Sequence, residues 1–358
     1  MSTQAPRTRS WVEVDLANLV ANARAVAGVV GGARLLPMVK ADAYGLGVLP
    51  VVQALEAVDP WGYGVATVDE GAELRRAGVS RPVIVFTPAR ADLVAQYRAY
   101  DLRAVLDDPD VIGAWTHPFH LEVDTGMGRA GIRWDDPQRL AAARSPGLEG
   151  AFTHFHSADQ SAESVEVQSR RLSRALEALG LAPPLVHVAN SAGAWRLRSG
   201  ADLVRPGIFL YGGHPGGDLP LPAPVVSLRA RVVSMRTVPA GETVSYGAQW
   251  TAERATPVAT LGIGYGDGVP RSLQGVAQVL LGGARRPVIG RVTMDMIMVD
   301  AGPVSGRVAV GDVATLIGAQ DHEAITLDEF AAWSGTISYE ALTRLSRRLP
   351  RLYGPDAD

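Results

Sequence analysis

RLLPMVK, residues 34–40, is an apolar run that opens on arginine and closes on a lysine, and seven runs of similar character follow it. They are YGVA at 63–66, PVIVFT at 82–87, RAVL at 103–106, FHLEVD at 119–124, LEGAFTH at 148–154, LVHVA at 185–189 and DLVR at 202–205, with helical stretches between them. Short continuous apolar runs are what a parallel strand shows when helices cover both faces of its sheet. Eight in succession predict the α/β class and a (β/α)8 TIM-type barrel. Upstream, Asp15 reads as the N-cap of an amphipathic helix carrying Leu16, Leu19, Val20, Ala23, Val26 and Ala27. Beyond about residue 225 the pattern changes to β-branched segments such as VVSLRARVVSMRTV and RRPVIGRVTMDMIMVD, broken by glycine turns. HPGGDLPLPAP at 214–224 reads as a linker. The expected division is a barrel over 10–225 and a mostly β C-terminal domain over 226–358, with a last helix around Leu342, Leu345 and Leu349 packing on the latter.

The 34 basic residues include one lysine, Lys40. Arginine serves wherever charge alone is needed, whereas only a lysine amine can lose its proton and attack a carbonyl. Position 40 therefore asks for lysine chemistry. A net charge of −3 without single-sign blocks offers no footprint for nucleic acid or anionic lipid, so a small molecule is the expected partner. The absence of cysteine removes disulfides, thiolate metal sites and thiol catalysis. The start, MSTQAPRTRS, lacks the apolar core of a signal peptide, and no run is long enough to span a bilayer. A cytoplasmic protein is expected.

A barrel of this kind delivers its reactive groups at the C-terminal ends of its strands. Here those ends lead to Lys40 and Tyr44, Arg129, His154, Asn190 and Ser191, and Arg205, Gly207 and Ile208. The loops after strands seven and eight are a frequent phosphate cradle, and a glycine lets backbone N–H groups approach the anion. Ser191 and Gly207–Ile208 lie in those loops, facing a lysine on strand one. An aldehyde cofactor that carries a phosphate, pyridoxal 5'-phosphate, suits both ends.

VKADAYGLG at 39–47, VDTGMGRAG at 123–131, FTHFHSAD at 152–159, HVANSAG at 187–193, VRPGIFLYG at 204–212, GIGYGDG at 262–268, GRVTMDM at 290–296 and TISYE at 336–340 resemble, in order, the motifs of the alanine racemases. The resemblance spans about residues 10–353. It implies a pyridoxal phosphate enzyme that interconverts L- and D-alanine, supplying D-alanine for peptidoglycan. Lys40 would be the Schiff-base lysine and one base, and Tyr265 the base on the opposite face. Tyr44, Ser191, Gly207, Ile208 and Tyr339 would bind the phosphate, with Asn190 beside them. His154 would lie along the pyridine ring, and Arg205 would face its nitrogen. Arg129 would hold the phenolic oxygen and the substrate carboxylate, with the Met294 N–H as a second donor. Glu122, His187 and Asp295 would support these groups from behind. The resemblance also implies a homodimer in which Tyr265 and the Met294 loop close the partner's barrel.

Other readings stay open at this level. Tyr265 sits in a glycine-rich turn where a tyrosine is ordinarily a solvated turn residue. His154 and His156, two apart on an expected strand, point the same way and could bind a metal with His187, making a barrel hydrolase. A racemase of broader range, acting on serine for example, shares the same motifs. The barrel decarboxylases of basic amino acids place a cysteine in the site, which this chain lacks, and a noncatalytic cofactor carrier would lack the second domain. One departure stands out. Many alanine racemases carry a carbamylated lysine at the position of Glu122, where this chain has a shorter carboxylate that would still neutralise Arg129, through a shifted rotamer, a water or a chloride.

Overall fold

A computed structural model describes residues 8–198 and 201–354. Most of the start read as lacking a signal peptide (residues 1–7) and the last four residues of the expected second domain lie outside them.

All eight expected runs form strands of one sheet: Arg34–Leu35, Tyr63–Val65, Val83–Pro88, Arg103–Leu106, Phe119–Asp124, Leu148–Phe152, Leu185–His187 and Leu203–Val204. Every pairing along this path is parallel. The first strand is short because Pro37 has no N–H for the ladder. Its continuation nonetheless closes the barrel, since Gly64 donates to Pro37 O at 2.9 Å and Val39 donates to Gly64 O at 2.8 Å. Asp15 caps the helix Leu16–Val29 as expected, accepting from Asn18 N at 2.8 Å.

Alternation along the strands sorts side chains between two cores. Leu35, Val83, Val85, Ala104, Leu106, Phe119, Leu121 and Val204 join the large core beneath the helices. Leu36, Ile84, Val105, Phe152 and Leu203 form a separate cluster inside the barrel. By the same alternation His120, Glu122, His187 and Arg205 point inward, and all four are buried. The barrel therefore has a polar seam through its interior.

A second sheet of nine strands is centred on Val226–Val238, which pairs with Thr256–Leu261 and Val313–Gln320. Two of its strands come from the ends of the chain. Ser10–Asp15 pairs antiparallel with the start of Val226–Val238 and parallel with Arg351–Gly354. The expected division at 225/226 does not capture this sharing, because WVEVD alternates like the strands it joins while standing before the first barrel helix. Among the described residues no helix is long and apolar enough to cross a membrane.

The last helix, Ser338–Thr343, ends before Leu345, although Leu342, Leu345 and Leu349 are all buried. It packs against Leu327–Trp333 of the second domain, as expected, and also against Lys40–Gly45 at the barrel mouth, a contact not foreseen. The approach is close: a Cβ on Gly45, whose φ is +85°, would lie 2.8 Å from Leu342 O. Gly45→Ala should cost about 2 kcal/mol through the positive φ and the displaced helix, read as a lower urea midpoint at unchanged slope.

Candidate active site

Immediately after Lys40 the backbone does something most side chains resist. Ala41, Asp42, Ala43 and Tyr44 have φ of 54°, 55°, 52° and 57°, one left-handed turn built without glycine. Each such residue costs about 1–2 kcal/mol, so neighbours must hold it. Ala41 N donates to Glu70 Oε1 at 2.7 Å, and Asp42 Oδ1 accepts from Val48 N at 2.8 Å. Arg351, from the last strand, donates to Gly45 O through Nε at 3.0 Å and Nη2 at 2.8 Å. Its remaining donors take the carbonyls of Leu345, Ser346 and Leu349. Tyr353 Oη donates to Leu46 O at 2.9 Å. The result turns Tyr44 inward, stacked on Tyr211 at 4.5 Å.

Lys40 and Tyr44 face a cavity of about 470 Å³ at the C-terminal end of the barrel. Arg129, His154, Asn190, Ser191, Arg205, Gly207, Ile208 and Tyr339 line it as well, so ten expected site residues converge on one space. Met38, Ala41, Phe86, Ile337, Glu340 and Thr343 complete the lining. These six carry no chemical signal in sequence, being apolar or surface-type residues brought there by the fold.

At the phosphate end Asn190 caps the helix Ser191–Leu197, accepting from Gly193 N at 2.9 Å. Ser191 Oγ accepts from Gly207 N at 2.9 Å and from Phe209 N at 3.3 Å. Between those two, the N–H of the fully buried Ile208 has no acceptor among the described residues, and neither do the N–H groups of Ser191 and Ala192 at the helix start. Buried donors left unpaired in a row are costly unless an anion takes them. A Cβ on Gly207 would lie 2.3 Å from Tyr44 Oη, so the glycine gives that hydroxyl its place. The residues present fit a phosphate here and an aldehyde at Lys40.

Burial, with Arg129 next, lowers the Lys40 pKa below the usual lysine range, which favours a free amine. His154 is pushed down to about 3 by burial and then by Arg205, Arg129 and Lys40, so it is neutral. Arg205 is 2% exposed and burial brings its pKa to about 9. Its Nη1 donates to His187 Nδ1 at 2.9 Å and His187 O at 2.8 Å, and its Nη2 donates to Thr153 O at 2.9 Å and Val188 O at 3.4 Å.

Glu122 lies 3.8 Å from Arg129 Nη2, an ion pair without a direct hydrogen bond. Burial outweighs Arg129 and lifts its pKa from 4.5 to about 7. His154 and His156 do not form the pair that the alternative metal reading requires. Their strand ends at Phe152, and only His154 reaches the cavity, while His156 Nδ1 meets Ser157 Oγ at 2.7 Å. Among the described residues no group of three His, Cys, Asp or Glu is placed to hold a metal.

Tyr265 and Met294 stand apart from this cavity, 43% and 53% exposed. Their two loops are joined, Tyr265 N donating to Thr293 O at 3.0 Å and Gly266 N to Met294 O at 2.9 Å. The buried Asp267 accepts from Gly264 N at 2.9 Å, Arg9 at 3.1 Å and Arg348 at 2.7 Å. Arg348 also reaches Asp295 Oδ1 at 2.7 Å, and Arg9 reaches Asp295 O at 2.7 Å. Sequence reading missed Arg9, Asp267 and Arg348. Asp267, inside GIGYGDG and three residues after Gly264, had a capping signal; the arginines had none.

The raised Glu122 pKa predicts a pH effect on the cofactor-free protein. The fold binds a proton there that the unfolded chain releases, so stability falls as pH rises from about 4.5 through about 7. Glu122→Gln should therefore be more stable than the parent by roughly 1–3 kcal/mol at pH 8, with the difference vanishing toward pH 4.5, in urea melts across that range.

Comparison with known proteins agrees with this geometry. The family model for the alanine racemase N-terminal domain matches residues 14–215, and that for the C-terminal domain matches 225–353. The alanine racemase of Carboxydothermus hydrogenoformans is 38% identical over 96% of this chain and 99% of its own length. That of Deinococcus radiodurans is 42% identical over 90% of this chain and 93% of its own. Among solved structures, Bacillus anthracis alanine racemase with bound L-Ala-P superposes with a TM-score of 0.90 at 32% identity, covering 99% of this chain and 97% of that one. Bartonella henselae alanine racemase with covalently bound pyridoxal phosphate gives 0.87 at 28% identity, covering 97% of this chain and 100% of that one. The chain belongs to the alanine racemase family.

Proposed function

We propose that this protein interconverts L- and D-alanine with pyridoxal phosphate held through Lys40, and that a second copy of the chain completes its site. The observation that carries the reading is the meeting, in one cavity of an alanine racemase family member, of the only lysine with a row of acceptor-free N–H groups. When bound, the cofactor supplies an aldehyde for the amino nitrogen and a conjugated ring that draws electrons from the α-carbon.

The residues divide the remaining work. Ser191, Gly207, Ile208, Tyr44 and Tyr339 bind the phosphate, and Asn190 holds the helix start that offers it N–H groups. The neutral His154 would pack along the ring. Arg205 donates an N–H but cannot take up a proton, so a ring nitrogen held by it would stay unprotonated and the ring would withdraw fewer electrons. Arg129, backed by Glu122, holds the substrate carboxylate. Lys40 Nζ exchanges the α-proton on one face, and Tyr265 of the partner subunit does so on the other. Asp295, tied to Asp267 through Arg348 and Arg9, keeps the Met294 loop beside Tyr265. The exposure of Tyr265 and Met294 on their own chain supports a homodimer in which they close the partner's barrel. D-alanine made in the cytoplasm would serve peptidoglycan, with neither nucleic acid nor membrane as partner.

L-Alanine in deuterated water should lose optical rotation and gain α-deuterium together. Both should disappear in Lys40→Ala and in Tyr265→Phe, whereas decarboxylation or inertness of the parent would defeat the reading. If sites are shared, mixing the two dead variants should restore up to about a quarter of parental activity, because a mixed dimer keeps one intact site. Glu122→Gln should lower kcat/KM about tenfold by releasing Arg129. Rates with serine and lysine would measure the breadth of substrate.

A further inference from the structure

We propose that His120 and Glu149 are positioning residues for Arg205, joined to it by a line of hydrogen-bonding groups running through the barrel interior to its opposite end. Arg205 Nη1 donates to His187 Nδ1, and a guanidinium has no acceptor to offer in return. The His187 proton must therefore sit on Nε2, which donates to His120 Nδ1 at 2.8 Å. His120 in turn carries its proton on Nε2, which lies 3.4 Å from Glu149 Oε2, close enough to feel the carboxylate charge but not aligned as a hydrogen bond. Arg103 Nε holds the same carboxylate oxygen at 3.2 Å. One tautomer at each ring follows from the arginine end, and burial disfavours a second proton on either.

The packing reserves room for this line. His187 is stacked on Phe152 at 4.7 Å and 13°, with Phe86 set edge-on to it. Neighbouring Gly150 is the position where any Cβ would lie 2.3 Å from His120 Nδ1. A side chain there would break the contact between the two imidazoles.

The line acts on Arg205 in two ways. All four of its Nη hydrogens are spent on His187, Thr153 and Val188, which fixes the guanidinium plane and leaves Nε–H as the donor for a cavity occupant. None of those acceptors is a carboxylate. Both imidazoles present an unprotonated nitrogen toward Arg205 and an N–H toward Glu149, so the distant negative charge is relayed to a buried cation. Residues at the closed end of the barrel thereby hold the group at its open end.

The kinetic arm of the test rests on the racemase reading; the spectroscopic arm does not. In histidine-15N-labelled protein, His187 and His120 should both be neutral and Nε2-protonated from about pH 6 to 9, with and without cofactor. An Nδ1–H form or a cation at either ring would overturn the proposal. Glu149→Leu should mix the tautomers of His120, whose Nε2–H then lacks its carboxylate, while Arg205 keeps His187 protonated on Nε2. The same substitution should also raise, about tenfold or more, the pyruvate formed per racemisation, which appears when the substrate's amino group and the cofactor's aldehyde oxygen exchange. KM should change less than twofold, and Glu149→Gln, which keeps an acceptor but loses the charge, should keep the parental tautomers and give a pyruvate ratio between those of the parent and Glu149→Leu. Gly150→Ala, which removes no ionisable group, should reproduce the Glu149→Leu effects. Unchanged tautomers and pyruvate ratio in both Glu149→Leu and Gly150→Ala would defeat the proposal. A parent that shows the expected tautomers but does not racemise alanine would defeat the functional reading and leave the line standing.

Discussion

The left-handed turn at Ala41–Tyr44 is the constraint around which the rest is arranged. Four L-residues at positive φ store several kcal/mol between them, and such strain persists only where surrounding contacts over-determine it. Those contacts come from distant parts of the chain: Glu70 after the second barrel strand, Arg351 and Tyr353 from the last strand, and the helix Ser338–Thr343 against Gly45. The β sheet is thus a part of the lysine's support, and Tyr339 reaches the cavity through the same contact. The turn places Lys40 at the rim of the cavity and Tyr44, four residues later, against Gly207.

A second constraint is the barrel's polar interior. Many barrels fill their centre with layers of branched apolar side chains. Here that layer is confined to Leu36, Ile84, Val105, Phe152 and Leu203, and beside it lie four inward-pointing residues that hydrogen-bond or carry charge. Arg205 bears the cost of burial because its donors are fully occupied, and the phenylalanine rings at 5.1 Å and 5.7 Å face the cation. Glu122, lacking a hydrogen bond to Arg129, holds its proton more tightly instead.

The barrel was legible because its signal is compositional: eight apolar runs became eight strands, each within a few residues. The lone lysine and the ordered motifs marked the cavity, and ten residues named from them line it. What escaped had no local mark. Arg351, Arg348 and Arg9 are three among many arginines, and only the fold brings them to Gly45 O and Asp267. The left-handed turn was invisible because ADAY contains no glycine, and Asp42, the one residue there that tolerates positive φ, gives no signal for its three neighbours. The alternative of a metal held by His154 and His156 finds no support because the strand stops at Phe152, and the i, i+2 rule holds only while a strand continues.

The first strand, Ser10–Asp15, has consequences for how this chain comes off the ribosome. Its two partners are Val226–Val238 and Arg351–Gly354, so it emerges more than two hundred residues before the one and more than three hundred before the other. The eight-stranded barrel lies wholly between, and vectorial synthesis lets it close while WVEVD waits as an unpaired edge. That waiting strand is apolar on one face and open to wrong partners, which makes the interval before residue 226 the period of greatest exposure to misassembly. Arg351 and Tyr353 arrive later still, and with them the bonds that hold the lysine's turn. The chemistry-bearing loop is thus locked by a stretch made more than three hundred residues after it.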